Sequence, residues 1–216
     1  MVTLGVKFYY PPRRERRSGI LGDVDSHLPA NHPYTCDDPI TTVHESTHGI
    51  NASFRYKYKT PGFYLLHDQA ILLNEPDLTL SDIDIPPPLR GAVHDLYLVK
   101  ARRWWNEQPS YVWDEYTAYT NGADARAQFG RSDRIDTVEY AVEFLVYSSY
   151  IPYMTGDTTC REFLQGQNER VMGLCRRAQA SCSTFIALQT HPALCGYRDF
   201  LRNYYGEMWC LIWLGI

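Results

Sequence analysis

Thr41-Thr42-Val43-His44-Glu45-Ser46-Thr47-His48-Gly49-Ile50 is the stretch on which the reading of this chain turns. It contains His-Glu-x-x-His. Residues four apart lie one above the other on a helix, so His44 and His48 can aim both imidazoles at one metal ion. Glu45, one position round, stands beside the open side of that ion, where a general base belongs.

The flanking residues favour a helix. Asp38 is an N-cap candidate, and Pro39 occupies the first helical position, where a missing N–H costs nothing. Ile40, Val43, Thr47, Ile50 and Phe54 recur at intervals of three and four, the stripe of a helix docked on a core. His44 and His48 run along the edge of that stripe, continued by Asn51 and Arg55, at the border of core and cleft. The alternative is a pair of helical histidines that are exposed or satisfied within the core.

A catalytic zinc needs three protein ligands and one open position. A later helix, starting near Ser110, carries a stripe of Val112, Glu115, Tyr119 and Gly122, with Tyr116 and Ala118 alongside. A carboxylate on an apolar stripe is costly to bury unless it is paired or bound to a cation, which makes Glu115 the natural third ligand. Ala118, Gly122, Ala123, Ala125 and Ala127 would let this helix approach the first closely. The rivals are Glu139 and Glu143, which share a helical face and read as a solvated pair, together with His67 and His94. Asp114, Asn121 and Asp124 are candidates to orient the histidines.

Two blocks, Val43-His44-Glu45-Ser46-Thr47-His48 and Asp114-Glu115-Tyr116-Thr117-Ala118-Tyr119, resemble the gluzincins, zinc metallopeptidases whose third ligand is a Glu on a later helix. The metzincin pattern is excluded, because Asn51 and Phe54 stand where it has Gly and His. The chain departs from the thermolysin-type pattern at Tyr119, where that pattern has an acidic residue. The resemblance implies an α+β, zincin-like fold, mainly helical, with a small antiparallel sheet or hairpin near the active-site helix. It also implies a zinc cofactor held by His44, His48 and Glu115, and a peptide or protein substrate. Glu45 would take a proton from the attacking water and pass it to the leaving amine. Tyr111, one turn before Glu115, and Tyr119, one turn after, are the candidates to stabilise the oxyanion, with Tyr111 preferred. Two other readings stay open: a noncatalytic zincin-like binding protein, and a zinc hydrolase acting on a non-peptide bond. An intact Glu45 argues against the first.

Around these blocks, residues 2–10 alternate like a strand, 11–19 form a basic loop, and 20–37 read as irregular. The metal helix spans about Pro39 to Tyr56. Residues 63–66 and 70–73 flank His67-Asp68-Gln69 as a hairpin, whose edge could accept a peptide as an added strand. Residues 74–85 are turn-rich, and Pro86-Pro87-Pro88 precedes a helix from Leu89 to Gln108. Further helices are expected at 133–150, stopping at Pro152, and at roughly 158–180 and 197–208. Residues 209–216 read as a terminal strand or docked tail.

The 216 residues fit one domain, with a helical C-terminal region from about 133. A net charge of −4 argues against nucleic acid as a partner. No apolar run approaches the roughly 20 residues that span a bilayer. Six cysteines, five of them late in the chain, suggest disulfides and hence a secreted or periplasmic protein whose leader has been removed. Free thiols in a cytoplasmic protein are the alternative. Asn51-Ala52-Ser53 matches a glycosylation acceptor but falls inside the metal helix, so it is discounted.

Overall fold

The structure, a computed structural model, describes residues 5–7, 19–31, 34, 36–178, 182–184, 186 and 195–213. It is a mainly helical α+β fold. Strand β1 (Gly5–Lys7) is followed by helices α1 (Ile20–His27) and α2 (Pro39–Tyr58), then by strands β2 (Gly62–Tyr64) and β3 (Gln69–Leu72). The three strands form an antiparallel sheet in the order β1-β3-β2, with Phe63 opposite Ile71 and Val6 opposite Ala70. Helices α3 (Arg102–Trp105), α4 (Tyr111–Phe129), α5 (Ile135–Thr155), α6 (Arg161–Arg177), α7 (Cys195–Tyr205) and α8 (Glu207–Trp213) complete the chain. No helix among the described residues is long and apolar enough to cross a membrane.

Helix α2 starts where its sequence says it should. The Asp38 carboxylate accepts from the Thr41 amide at 3.1 Å, and Pro39 opens the first turn. Lys59, in the left-handed region at φ 56°, closes the other end. Helices α2 and α4 run antiparallel. Gly122 lies against Ile40 and His44, Asp114 against His48 and Asn51, and Ser110 against Arg55. A Cβ on Gly122 would stand 3.3 Å from Thr137 and 3.7 Å from His44, so glycine sets how closely α4 can approach both α2 and the start of α5. Ala118, Ala123 and Ala125 are fully buried along the same helix. Two apolar clusters flank this seam. Ile20, Val24, Val43, Ile50, Tyr64 and Leu66 fill one, and Trp113, Tyr116, Phe144, Tyr147 and Leu164 anchor the other.

Several expectations change. Residues 20–27 are helical rather than irregular, because Ile20 and Val24 share a face that buries against α2. The single helix expected at 89–108 is broken into a 3₁₀ turn at Pro87–Leu89, a π-helical stretch at Asp95–Lys100 and the short α3. The cause is Glu143. Its buried carboxylate accepts from the Val93 amide at 3.1 Å and from the Tyr147 hydroxyl, and it packs where a Cβ on Gly91 would sit at 2.3 Å. That anchor delays the helix until His94. Helix α5 passes through Pro152 to Thr155 and ends on Gly156 in the left-handed region. Trp209 and Cys210 are buried within α8, so the tail docks as a helix and not a strand. The expected basic loop at 11–18 lies outside the described residues.

The expected disulfides are not formed among the described residues: Cys36, Cys160, Cys175, Cys182 and Cys210 are not joined to one another. Cys175 and Cys182 meet as hydrogen-bonded thiols, and that contact with burial pushes Cys175 up.

Candidate metal centre

Three of the expected residues converge. His44 Nε2 lies 3.1 Å from His48 Nε2 and 3.7 Å from Glu115 Oε2, and His48 Nε2 lies 3.5 Å from the same oxygen. Ligand atoms about 2.0–2.2 Å from a tetrahedral zinc stand roughly 3.3–3.6 Å apart, and the three separations fall within about 0.2 Å of that range. The Glu115 side chain is 6% exposed, and its Oε2 is buried with no hydrogen-bond partner. A bare carboxylate oxygen inside a protein is expensive. Facing two imidazole nitrogens, it is the atom a cation would satisfy. Two nitrogens and one carboxylate oxygen suit zinc.

The two imidazoles differ in protonation in the metal-free fold. Burial, the adjacent His48 and Arg134 hold His44 down to about 3, so its imidazole is neutral. Burial also opposes charge on His48, but Asp114 and Glu115 outweigh it and hold that ring well above the usual histidine range. His48 Nδ1 is 2.9 Å from Asp114 Oδ2, so Nδ1–H donates to the carboxylate and Nε2 is turned toward the other two ligands. Asp114 Oδ1 accepts in turn from Asn51 Nδ2 at 2.5 Å, and Asn51 Oδ1 accepts from the Tyr64 amide at 2.7 Å. Sheet, helix and ligand are thus tied in one chain of contacts.

Of the three groups expected to orient the histidines, Asp114 does so and the other two do not. Asn121 donates to Thr47 and to the Tyr64 carbonyl, and its own carbonyl accepts from Arg170, which also pairs with Asp124 at 2.6 Å. That network joins α2, β2, α4 and α6 without touching either imidazole. It also bears on the expectation of an added peptide strand. On β2 the outward N–H and C=O of Tyr64 are already taken by Asn51 and Asn121.

The rival ligands lie elsewhere. Glu139 accepts from the Ser183 amide and hydroxyl. Glu143 is 1% exposed and holds the start of the π-helical stretch, so the two are not a solvated pair. His67 is exposed at the hairpin tip, and His94 bonds Asp95 at 2.9 Å.

Glu45 is half-buried and makes no hydrogen bond or ion pair among the described residues. Its charge reaches Tyr34, whose hydroxyl is raised by desolvation and then by Glu45. Tyr119 places its ring 4.4 Å from that of His44, edge-on, and burial pushes its hydroxyl up to about 12. Tyr111 stacks on Trp105 at 4.5 Å; burial and then the Glu115 charge raise its hydroxyl. Tyr97 is the residue that sequence reasoning missed. Its hydroxyl meets that of Tyr119 at 2.8 Å, and it too is raised by burial and by Glu115. It lies in the π-helical stretch, which a straight helix drawn through 89–108 does not show. Beyond Tyr111 and Asp114 opens a small cleft of about 110 Å³, walled by Arg55, Gly62, Phe63 and Trp105.

No family model, curated protein or solved structure matches the chain significantly.

Proposed function

We propose that this chain is a zinc-dependent hydrolase of peptide bonds, with His44, His48 and Glu115 as the zinc ligands. The observation that supports it most is the orphaned Glu115 Oε2 facing two imidazole Nε2 atoms at 3.5 and 3.7 Å. Zinc bound there supplies Lewis-acid polarisation of a carbonyl and a nucleophile available at neutral pH. The chain's own groups do the rest. Glu45, half-exposed and without a partner among the described residues, accepts the proton of the attacking water and returns it to the leaving amine. Tyr111 and Tyr119 stay protonated far above neutral pH, and one of these hydroxyls donates to the developing oxyanion. Asp114, backed by Asn51, keeps the His48 ring turned toward the ligand group. The cleft beside Tyr111 and Asp114 receives the substrate segment next to the scissile bond.

The test is Glu45→Gln assayed on casein and on a peptide library. The variant should keep its zinc and lose cleavage by about 100-fold or more. Full activity with zinc retained would remove Glu45 from the mechanism. Zinc binding without peptide cleavage in the wild type would leave a non-peptide substrate or a binding role.

A further inference from the structure

A second group of ligand-type side chains lies at the far end of β2, outside the centre just described. Asp23 and His27, four apart on α1, meet Asp68 from the hairpin turn, with one ligand atom of each within 4.8 Å of the others. His27 Nε2 is 2.9 Å from Asp68 Oδ1, and the His27 side chain is only 6% exposed.

The surroundings of the imidazole decide what Nε2 carries. Its Nδ1 lies 2.9 Å from the Asp23 carbonyl oxygen, which can only accept. It also lies 3.0 Å from Ser26 Oγ, whose proton goes to that same carbonyl at 2.7 Å. The third neighbour, the Tyr64 hydroxyl at 3.0 Å, can play either role. Two of the three neighbours therefore call for a proton on Nδ1. With Nδ1 protonated, Nε2 faces a carboxylate oxygen at 2.9 Å, a contact that either a second ring proton or a bound cation satisfies. A metal-bound imidazole shows the same pattern, its distal N–H given to a backbone carbonyl. Among the described residues neither Asp23 nor Asp68 is paired with a lysine or arginine; the Asp23 carboxylate takes the His67 amide, and Asp68 faces the imidazole. Asp68 is 59% exposed, which leaves an open side for entry and for water.

From this geometry we infer that Asp23, His27 and Asp68 form a second divalent-cation site, with one imidazole and two carboxylates, ligand types that zinc accepts. It would cross-link α1 to the hairpin. The turn it holds needs such a clamp: Leu66, His67 and Asp68 all have left-handed backbones, at φ 68°, 54° and 58°, with no glycine among them. The turn backbone is also tied across this joint by the His67 amide, which donates to Asp23 Oδ2 at 2.9 Å. Asp23 and His27 carry the same four-residue helical spacing as the two ligands on α2, but in a segment that reads as irregular in sequence.

The experiment is a zinc titration of the chelator-stripped full chain, with bound metal measured by elemental analysis after gel filtration. The wild type should hold about two equivalents. His27→Ala should hold about one. Asp68→Asn, at an exposed position that keeps its shape, should weaken the second equivalent by about 10-fold or more without touching the first. His44→Ala should keep the equivalent that His27→Ala loses. Circular dichroism of each variant confirms that it is folded, and Asp68→Asn carries the test if His27→Ala is not. A wild type that binds no zinc, or only the equivalent that His44→Ala removes, overturns the proposal. So do two equivalents that persist in folded His27→Ala and Asp68→Asn.

Discussion

His48 Nδ1 donates to Asp114 Oδ2 at 2.9 Å, and this one contact decides which nitrogen of His48 faces Glu115. Asp114 lies one position before the acid it helps to complete, on the turn of α4 that meets α2. Removing its carboxylate should cost about 10–100-fold in zinc affinity. Asp114→Ala measured against a competing chelator checks this. Asn51→Ala, which loosens Asp114 and orphans the Tyr64 amide, should lower affinity less and stability by about 1–3 kcal/mol in urea melts.

Zinc uptake should release protons. His48 is held well above 6.5 in the metal-free fold, so it is charged at neutral pH and must lose a proton to become a ligand. His44, held down to about 3, is already neutral and contributes nothing there. Affinity should therefore rise with pH up to the His48 pKa and fall on acidification. Calorimetry in buffers of different ionisation enthalpy should report about one proton from this centre at pH 7. For the metal-free chain the two histidines act oppositely. The raised group stabilises below about 6.5 and loses that contribution as pH rises through its folded value. The depressed group stabilises above about 6.5, a contribution lost as pH falls toward 3. Melting curves of His44→Ala and His48→Ala across pH separate the two.

Glu143 is a support for the chain before Tyr97 and not a ligand. Glu143→Ala should leave the zinc content unchanged and destabilise by about 1–3 kcal/mol, because the Val93 amide and Tyr147 hydroxyl lose their acceptor. Gly91→Ala, whose Cβ would sit 2.3 Å from that carboxylate, should be destabilised as well. A loss of zinc in Glu143→Ala with the fold intact would argue for the rival ligand.

Tyr97 and Tyr119 share one hydrogen bond at 2.8 Å, so the pair has a single hydroxyl proton left to donate elsewhere. Tyr119→Phe should lower kcat more than it raises KM, by about 10–100-fold, as an interaction made chiefly in the transition state does. Tyr97→Phe should act in the same direction and more weakly. Additive losses in the double variant would mean that the two hydroxyls work independently.

The centre was legible because its signals are local. The spacing of His44 and His48 needs only a helix, and Glu115 betrays itself as a carboxylate on an apolar stripe. Gly122 and its neighbouring alanines likewise announced a close helix pair. The missed parts depend on tertiary partners. Tyr97 lies in the π-helical stretch just after the Val93 amide, which Glu143, 50 residues away, captures. Helix α1 escaped notice because its apolar face is only Ile20 and Val24, two buried side chains that α2 covers. The hairpin was legible from two apolar runs flanking a polar turn, but nothing in Leu66-His67-Asp68 signals three left-handed backbones, since glycine normally marks them.

Zinc-edge anomalous diffraction from crystals of the wild-type chain tests the central claim most directly. The expected result is a single strong peak within bonding distance of His44 Nε2, His48 Nε2 and Glu115 Oε2, with Glu45 on its open side. Zinc-soaked crystals with no peak among those three atoms, or with Glu115 turned away from the imidazoles, would contradict it.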